Sequence, residues 1–158
     1  MPATIAASVP QLEQMVIDIT QEIHVRSSLT ATFAALLDDM GPLNQGHEGA
    51  PMPMKLEAWP GGRWYRDLGG DNGHFWGHVQ AIKRPTLLEI TGPLFMSSAV
   101  ISNLQYRLKE VDGGTLLTFT HTALGFIPDD HREGLTKGWT AMHQAVQRRA
   151  EAASSIRS

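Results

Sequence analysis

The stretch Asp129–Ser155 constrains the fold of this chain more than any other. Leu135, Trp139, Met142 and Val146 recur at steps of four, three and four, which lays one apolar stripe along a helix. Asp129 and Asp130 put negative charge at its start, where free N–H groups point outward. Arg132, Lys137, Gln144 and Arg148 occupy the other side, which is therefore expected to face water. Gly138 is costly in a helix interior, and the expected compensation is close approach of the helix to the surface it covers. A helix of this length with one apolar side has to lie on something. Nearly all the remaining chain reads as strand, so the partner is a sheet.

Residues 1–16 are small and polar with prolines toward both ends, and read as a flexible N-terminal arm with a brief helical turn at Gln11–Met15. Residues 17–155 read as one domain. From Ile17 the pattern alternates. Ile17, Ile19, Ile23 and Val25 share one face, while Asp18, Thr20, Glu22, His24 and Arg26 share the other, the signature of a half-buried strand. Ser28 then caps a short helix with Leu29, Phe33, Leu36 and Leu37 as its stripe, stopped at Gly41-Pro42. Gly41–Pro53 has no period and reads as a loop, either a lid or a plain surface connection. Six strands follow, at 54–59, 63–68, 74–83, 87–91, 100–111 and 115–123, separated by Gly- and Pro-rich turns. Connections this short leave no room for parallel crossovers. The class is α+β, with a curved antiparallel sheet of about seven strands around the long C-terminal helix.

Composition closes off several functions. With 158 residues, 42% hydrophobic and 18% charged, the chain suits a packed core without staples. A net charge of −3 and no Lys/Arg cluster argue against nucleic acid as a partner. The absence of cysteine removes disulfides, thiolate catalysis and Cys-based zinc sites. No stretch has the length of a membrane span or the make-up of a secretory signal, which makes the cytoplasm the default compartment.

Gly61-Gly62-Arg63-Trp64-Tyr65, then Trp76-Gly77-His78-Val79 with Pro85 and Leu87-Leu88, then the run from Gly114 to His121, and finally Gly138-Trp139, come in an order that resembles a known superfamily. Over roughly Ile17 to Ala150 the chain resembles START-like (SRPBCC) domains of the helix-grip fold, and within them the bacterial branch related to the activator of the heat-shock-protein ATPase. The resemblance implies a hydrophobic cavity between sheet and helix; it implies no single chemistry and no cofactor.

The candidate ligand-binding residues are Met54, Tyr65, Trp76, Phe119, His121, Trp139 and Met142. The aromatic ones read either as cavity wall or as ordinary core. His121 alternates with Leu117, Phe119 and Ala123, so it shares their face. It reads either as a ligand partner or general acid/base, or as a core histidine tied to a neighbour; no carboxylate lies close in sequence to orient it. His74 and His78, taken as one face of a regular strand, would stand about 13 Å apart at roughly 3.3 Å per residue, too far to share a metal. Asp38-Asp39, Asp129-Asp130 and Arg148-Arg149 read as helix-end charges. The leading function is therefore binding of a small hydrophobic molecule. A cyclase- or hydrolase-type enzyme using His121, with Tyr65 as a hydrogen-bond donor, and a chaperone-linked interaction module are the alternatives. A homodimer through an exposed strand edge is a further partner option. Trp139→Ala, if the ring lines an open space, is expected to weaken binding at modest cost in stability.

Overall fold

The computed structural model describes residues 11–155. Most of the expected arm, residues 1–10, lies outside the described residues; Leu12–Met15 form a short 3-10 turn that runs directly into the first strand. The elements that follow are β1 (Val16–Val25), α1 (Leu29–Met40), β2 (Lys55–Leu56), β3 (Arg63–Gly69), β4 (Asn72–Lys83), β5 (Leu87–Gly92), β6 (Val100–Val111), β7 (Gly114–Gly125) and α2 (Asp129–Ser155). All neighbouring strands are antiparallel, and they form one seven-stranded sheet in the order β1-β7-β6-β5-β4-β3-β2. The chain is α+β with the helix-grip fold: a single antiparallel sheet with its long C-terminal helix packed on it.

The order follows from local chemistry. Ser28 Oγ accepts from the Ala31 N–H at 3.1 Å and starts α1, which carries the chain from one edge of the sheet to the other. From β2 each strand then turns back on the last until β7 returns to pair with β1. The β3–β4 turn is Gly70-Asp71, with φ of 58° and 61°, the left-handed pair that a two-residue hairpin needs. The expected strand at 54–59 shrinks to Lys55–Leu56, because the turn into β3 starts early. Trp59 N–H already donates to Glu57 O, and Gly62 N–H to Trp59 O.

Side chains of the inner face alternate as the sequence pattern requires: Ser102, Leu104, Tyr106 and Leu108 on β6, and Leu117, Phe119, His121 and Ala123 on β7, are all buried. α2 covers them with Leu135, Trp139, His143, Val146 and Ala150. Its other side is less wet than its composition suggests. Arg132 donates to the Val16 and Gln14 carbonyls (2.8 and 2.6 Å), Gln147 donates to the His24 carbonyl (3.0 Å), and Glu151 accepts from Arg26 N–H (3.1 Å). α2 thus occupies part of the hydrogen-bonding edge of β1, the edge at which a further strand would add. A second clamp joins the helices. Arg149 holds the buried Asp39 of α1 through both carboxylate oxygens, at 2.9 and 3.2 Å. Among the described residues no helix is long and apolar enough to cross a membrane.

A cavity at the open end of the helix grip

A cavity of about 300 Å³ opens between the first half of α2, the strands β3 and β4, the loop after α1 and the β5–β6 connection. Four rings make its walls. Trp64 and Trp76 meet edge to face at 4.9 Å, Trp76 meets Phe95 at 5.7 Å, and Phe95 lies 6.4 Å from Trp139. Met52, Met142 and Leu135 fill the gaps between them.

Each ring has a local cause. Trp64 is fixed by its indole N–H, which donates to the Met40 carbonyl at the end of α1 (2.7 Å). Trp76 enters through a β-bulge: Trp64 pairs with Gly77 but Tyr65 pairs with Phe75, so one residue of β4 is extra. The bulge also changes the parity of the strand. Trp76 and Val79 are both buried, while Phe75 and His78 are exposed and meet at a tilt, with ring centroids 4.8 Å apart. His74 and His78 therefore do not share a face, contrary to the regular-strand reading. Gly77 is required here, since a Cβ would stand 2.7 Å from the Thr91 carbonyl oxygen. Phe95 is delivered by a connection in which the buried Leu94 adopts φ of 58°, a costly conformation for a branched side chain, held by Leu94 N–H donating to the Trp76 carbonyl at 2.8 Å.

Gly138 does not bring the helix close to the sheet. Gly134 and Gly138 are both exposed, both line the cavity, and a Cβ built at either would meet nothing within 4 Å. One turn apart on α2, they leave the entrance wide.

Of the expected ligand-binding residues, Trp76, Trp139 and Met142 line this cavity. Phe119 and His121 lie a layer behind, against Trp139, at ring distances of 4.8 and 5.6 Å. Met54 is buried in the core, and Tyr65 packs beneath the Arg63 guanidinium at 4.7 Å; neither borders the cavity. The sequence pattern missed Trp64, Phe95, Asn44, Gln45, Met52, Asp130 and His131. An i, i+4 pair of glycines on an otherwise amphipathic helix was the legible signal for Gly134 and Gly138.

Two histidines sit in the core behind the cavity. The Trp139 indole can only donate, and does so to His121 Nδ1 at 3.2 Å, so the neutral ring carries its proton on Nε2 and donates to Ser102 Oγ at 3.0 Å. His143 Nδ1 donates to Gln21 Oε1 at 2.7 Å, since the Gln21 amide nitrogen is committed to Thr140 Oγ1, and its Nε2 accepts from the Tyr106 hydroxyl at 3.1 Å. Burial holds both imidazoles near a pKa of about 4 and pushes the Tyr106 phenol up. Both rings are thus neutral and fully engaged. No cluster of three or more His, Asp or Glu capable of holding a metal ion occurs among the described residues.

Two residues of the lining, Asn44 and His131, also carry polar atoms that have no partner and are shielded from the cavity itself. Asn44 is buried, and its amide nitrogen donates to the Asp39 carbonyl at 2.9 Å, yet its Oδ1 has no partner. His131, edge-on to Phe95 at 5.7 Å, has a buried Nδ1 that is also without a partner.

Comparisons with known proteins agree with this architecture. The AHSA1-like protein from Aeromonas hydrophila superposes with a TM-score of 0.61 at 19% identity, covering 87% of this chain and 94% of that one. Ara h 8.0201 gives 0.65 at 15% identity over 87% of this chain and 99% of its own. The di-domain ARO/CYC StfQ from the steffimycin biosynthetic pathway gives 0.65 at 11% identity, covering 91% of this chain and 53% of that chain. These likenesses concern the fold. No curated protein gave a significant match. The family described as Activator of Hsp90 ATPase homolog 1-like protein matches residues 48–151, well over half of the sequence, and the chain belongs to that family.

Proposed function

We propose that this protein binds a small hydrophobic molecule in the cavity between the sheet and the first half of α2. The observation that carries the reading is the wall itself: Trp64, Trp76, Phe95 and Trp139 around a space of about 300 Å³ that no side chain fills. That size lies at the lower end of ligand pockets, and their linings share this balance of apolar wall with a few polar groups. Large rings held edge to face would close on one another if packing alone governed them. The Trp76 bulge, the left-handed Leu94 and the paired glycines each cost stability while holding the space open.

The geometry favours binding over catalysis by His121. A general acid or base has to reach its substrate, whereas both His121 nitrogens are occupied and the side chain is fully buried. Native mass spectrometry of freshly purified protein, followed by thermal unfolding against a panel of lipids and polyketide-like aromatics, tests the proposal. A bound mass, or a rise in melting temperature with ligand concentration that Gly138→Leu abolishes, is the expected result. No bound mass and no thermal response across the panel overturns it.

A further inference from the structure

Building on the binding reading, we infer that His74 is the positioning residue of the cavity wall: its Nδ1 latches the Trp76 indole, and a proton on that atom releases the ring and weakens binding of a guest. Three tryptophans border the cavity, and each indole N–H is tied to one acceptor. Trp64 donates to the Met40 carbonyl at 2.7 Å, and Trp139 donates to His121 Nδ1 at 3.2 Å. Trp76 donates to His74 Nδ1 at 3.1 Å. A carbonyl takes up no proton between pH 5 and 8, and burial holds His121 neutral down to about 4. His74 is half-buried near the start of β4, within reach of water. Of the three latches, it is the one whose acceptor is open to a proton in the range where histidine changes charge.

The consequence follows from counting donors. An indole N–H only donates, so the neutral His74 ring carries its proton on Nε2 and leaves Nδ1 to accept. An imidazolium has N–H on both nitrogens, which sets donor against donor. The Trp76 backbone stays in place, because its carbonyl accepts from Leu94 N–H at 2.8 Å. Its ring is only 9% exposed, so the released N–H lacks a partner until the ring turns toward water. That turn breaks the edge-to-face contacts with Trp64 at 4.9 Å and Phe95 at 5.7 Å, which close the wall. The surrounding groups do not replace the bond. On β3, Arg66 stands directly across from His74 and would meet an imidazolium with a like charge. To the cavity, α2 brings Asp130, which is exposed, and His131, while the loop after α1 brings the neutral Asn44, Gln45 and Met52.

Indole N–H signals in NMR test the latch without any ligand, and naphthalene, which has no titrating group, tests its effect on binding. From about pH 8 to 5.5 the Trp76 signal, assigned through Trp76→Phe, is expected to move, while those of Trp64 and Trp139 stay. Over the same range the naphthalene dissociation constant is expected to rise about five-fold. The rise should persist in His131→Phe, which removes the histidine of the cavity lining. His74→Asn puts an amide oxygen in the place of Nδ1 and takes up no proton, so it should keep the affinity seen at high pH and make both readouts flat. His74→Leu, with no acceptor, should bind weakly at both ends of the range. A stationary Trp76 signal, or a pH dependence that survives His74→Asn, overturns the inference, and naphthalene binding then leaves the binding reading intact. Naphthalene bound at neither end overturns the effect on a guest, and the ligand panel then decides the reading beneath it.

Discussion

Trp139 joins the two regions that matter at the level of single residues. One part of its ring borders the cavity, and the rest packs on Phe119 and His143 while its N–H serves His121. The modest cost expected of a cavity-lining ring therefore underestimates it. Trp139→Ala should lose about 3–5 kcal/mol in urea unfolding, the range for a buried aromatic. Trp139→Phe should lose about 1–3 kcal/mol, chiefly from the orphaned His121 nitrogen. His121 and His143 carry a second prediction. Unfolded, each titrates near 6.5; folded, burial holds each near about 4. Between those values the unfolded chain binds more protons, so this stability is complete above about pH 6.5 and is lost as pH falls toward 4. At 1.36 kcal/mol per unit the loss approaches roughly 3 kcal/mol for each ring, and urea midpoints from pH 7.5 down to 4.5 would reveal it as a steep decline. A flat profile would mean that the rings are not held neutral. Alternation was enough to place His121 on the inner face. It could not reveal that Trp139 and Ser102, distant in sequence, occupy both its nitrogens, because that depends on how the helix meets the sheet.

Among the elements, α2 sacrifices helix stability at the cavity entrance. With nothing within 4 Å of a Cβ at Gly134 or Gly138, alanine at either site should fit without clash and stabilise the fold by about 0.8–1 kcal/mol, read as a higher melting temperature. Further down the same helix, Arg149→Ala strands the Asp39 carboxylate, whose side chain is only 2% exposed. The loss should be about 2–3 kcal/mol in urea unfolding, below the value for a fully buried pair because Arg149 itself is 36% exposed. The helix and its stripe were legible because Leu135, Trp139 and Val146 obey a period that survives any environment. The role of Gly138 was not, since a glycine marks close contact and open space alike, and only the surroundings decide between them. Asp39 reads in the sequence only as a helix-end charge for a similar reason: its partner is 110 residues away. Phe95 went unnoticed because it sits in a connection with no period at all, placed by the conformation of Leu94.

At the scale of the molecule, the sheet order was legible because short turns permit only neighbouring antiparallel pairs, and the alternating faces of β1, β6 and β7 allow one register over a buried side. The cavity was legible only as a consequence of the fold. Its actual walls required the β4 bulge at Trp76, which reverses the facing of the strand as far as a second irregularity between Val79 and Ala81 and which no alternation pattern announces. The four tryptophans are divided in a way that has an optical consequence. Trp64, Trp76 and Trp139 are buried around the cavity, whereas Trp59 is 57% exposed and takes no part in it. Emission excited in the indole band should therefore resolve into a short-wavelength majority and a long-wavelength minority. Acrylamide should extinguish the minority first. A non-absorbing guest should perturb the majority and leave Trp59 as an internal standard, so each emission spectrum would carry its own calibration for occupancy. A Trp59→Phe variant that lost the short-wavelength component instead would mean that the indoles are distributed otherwise.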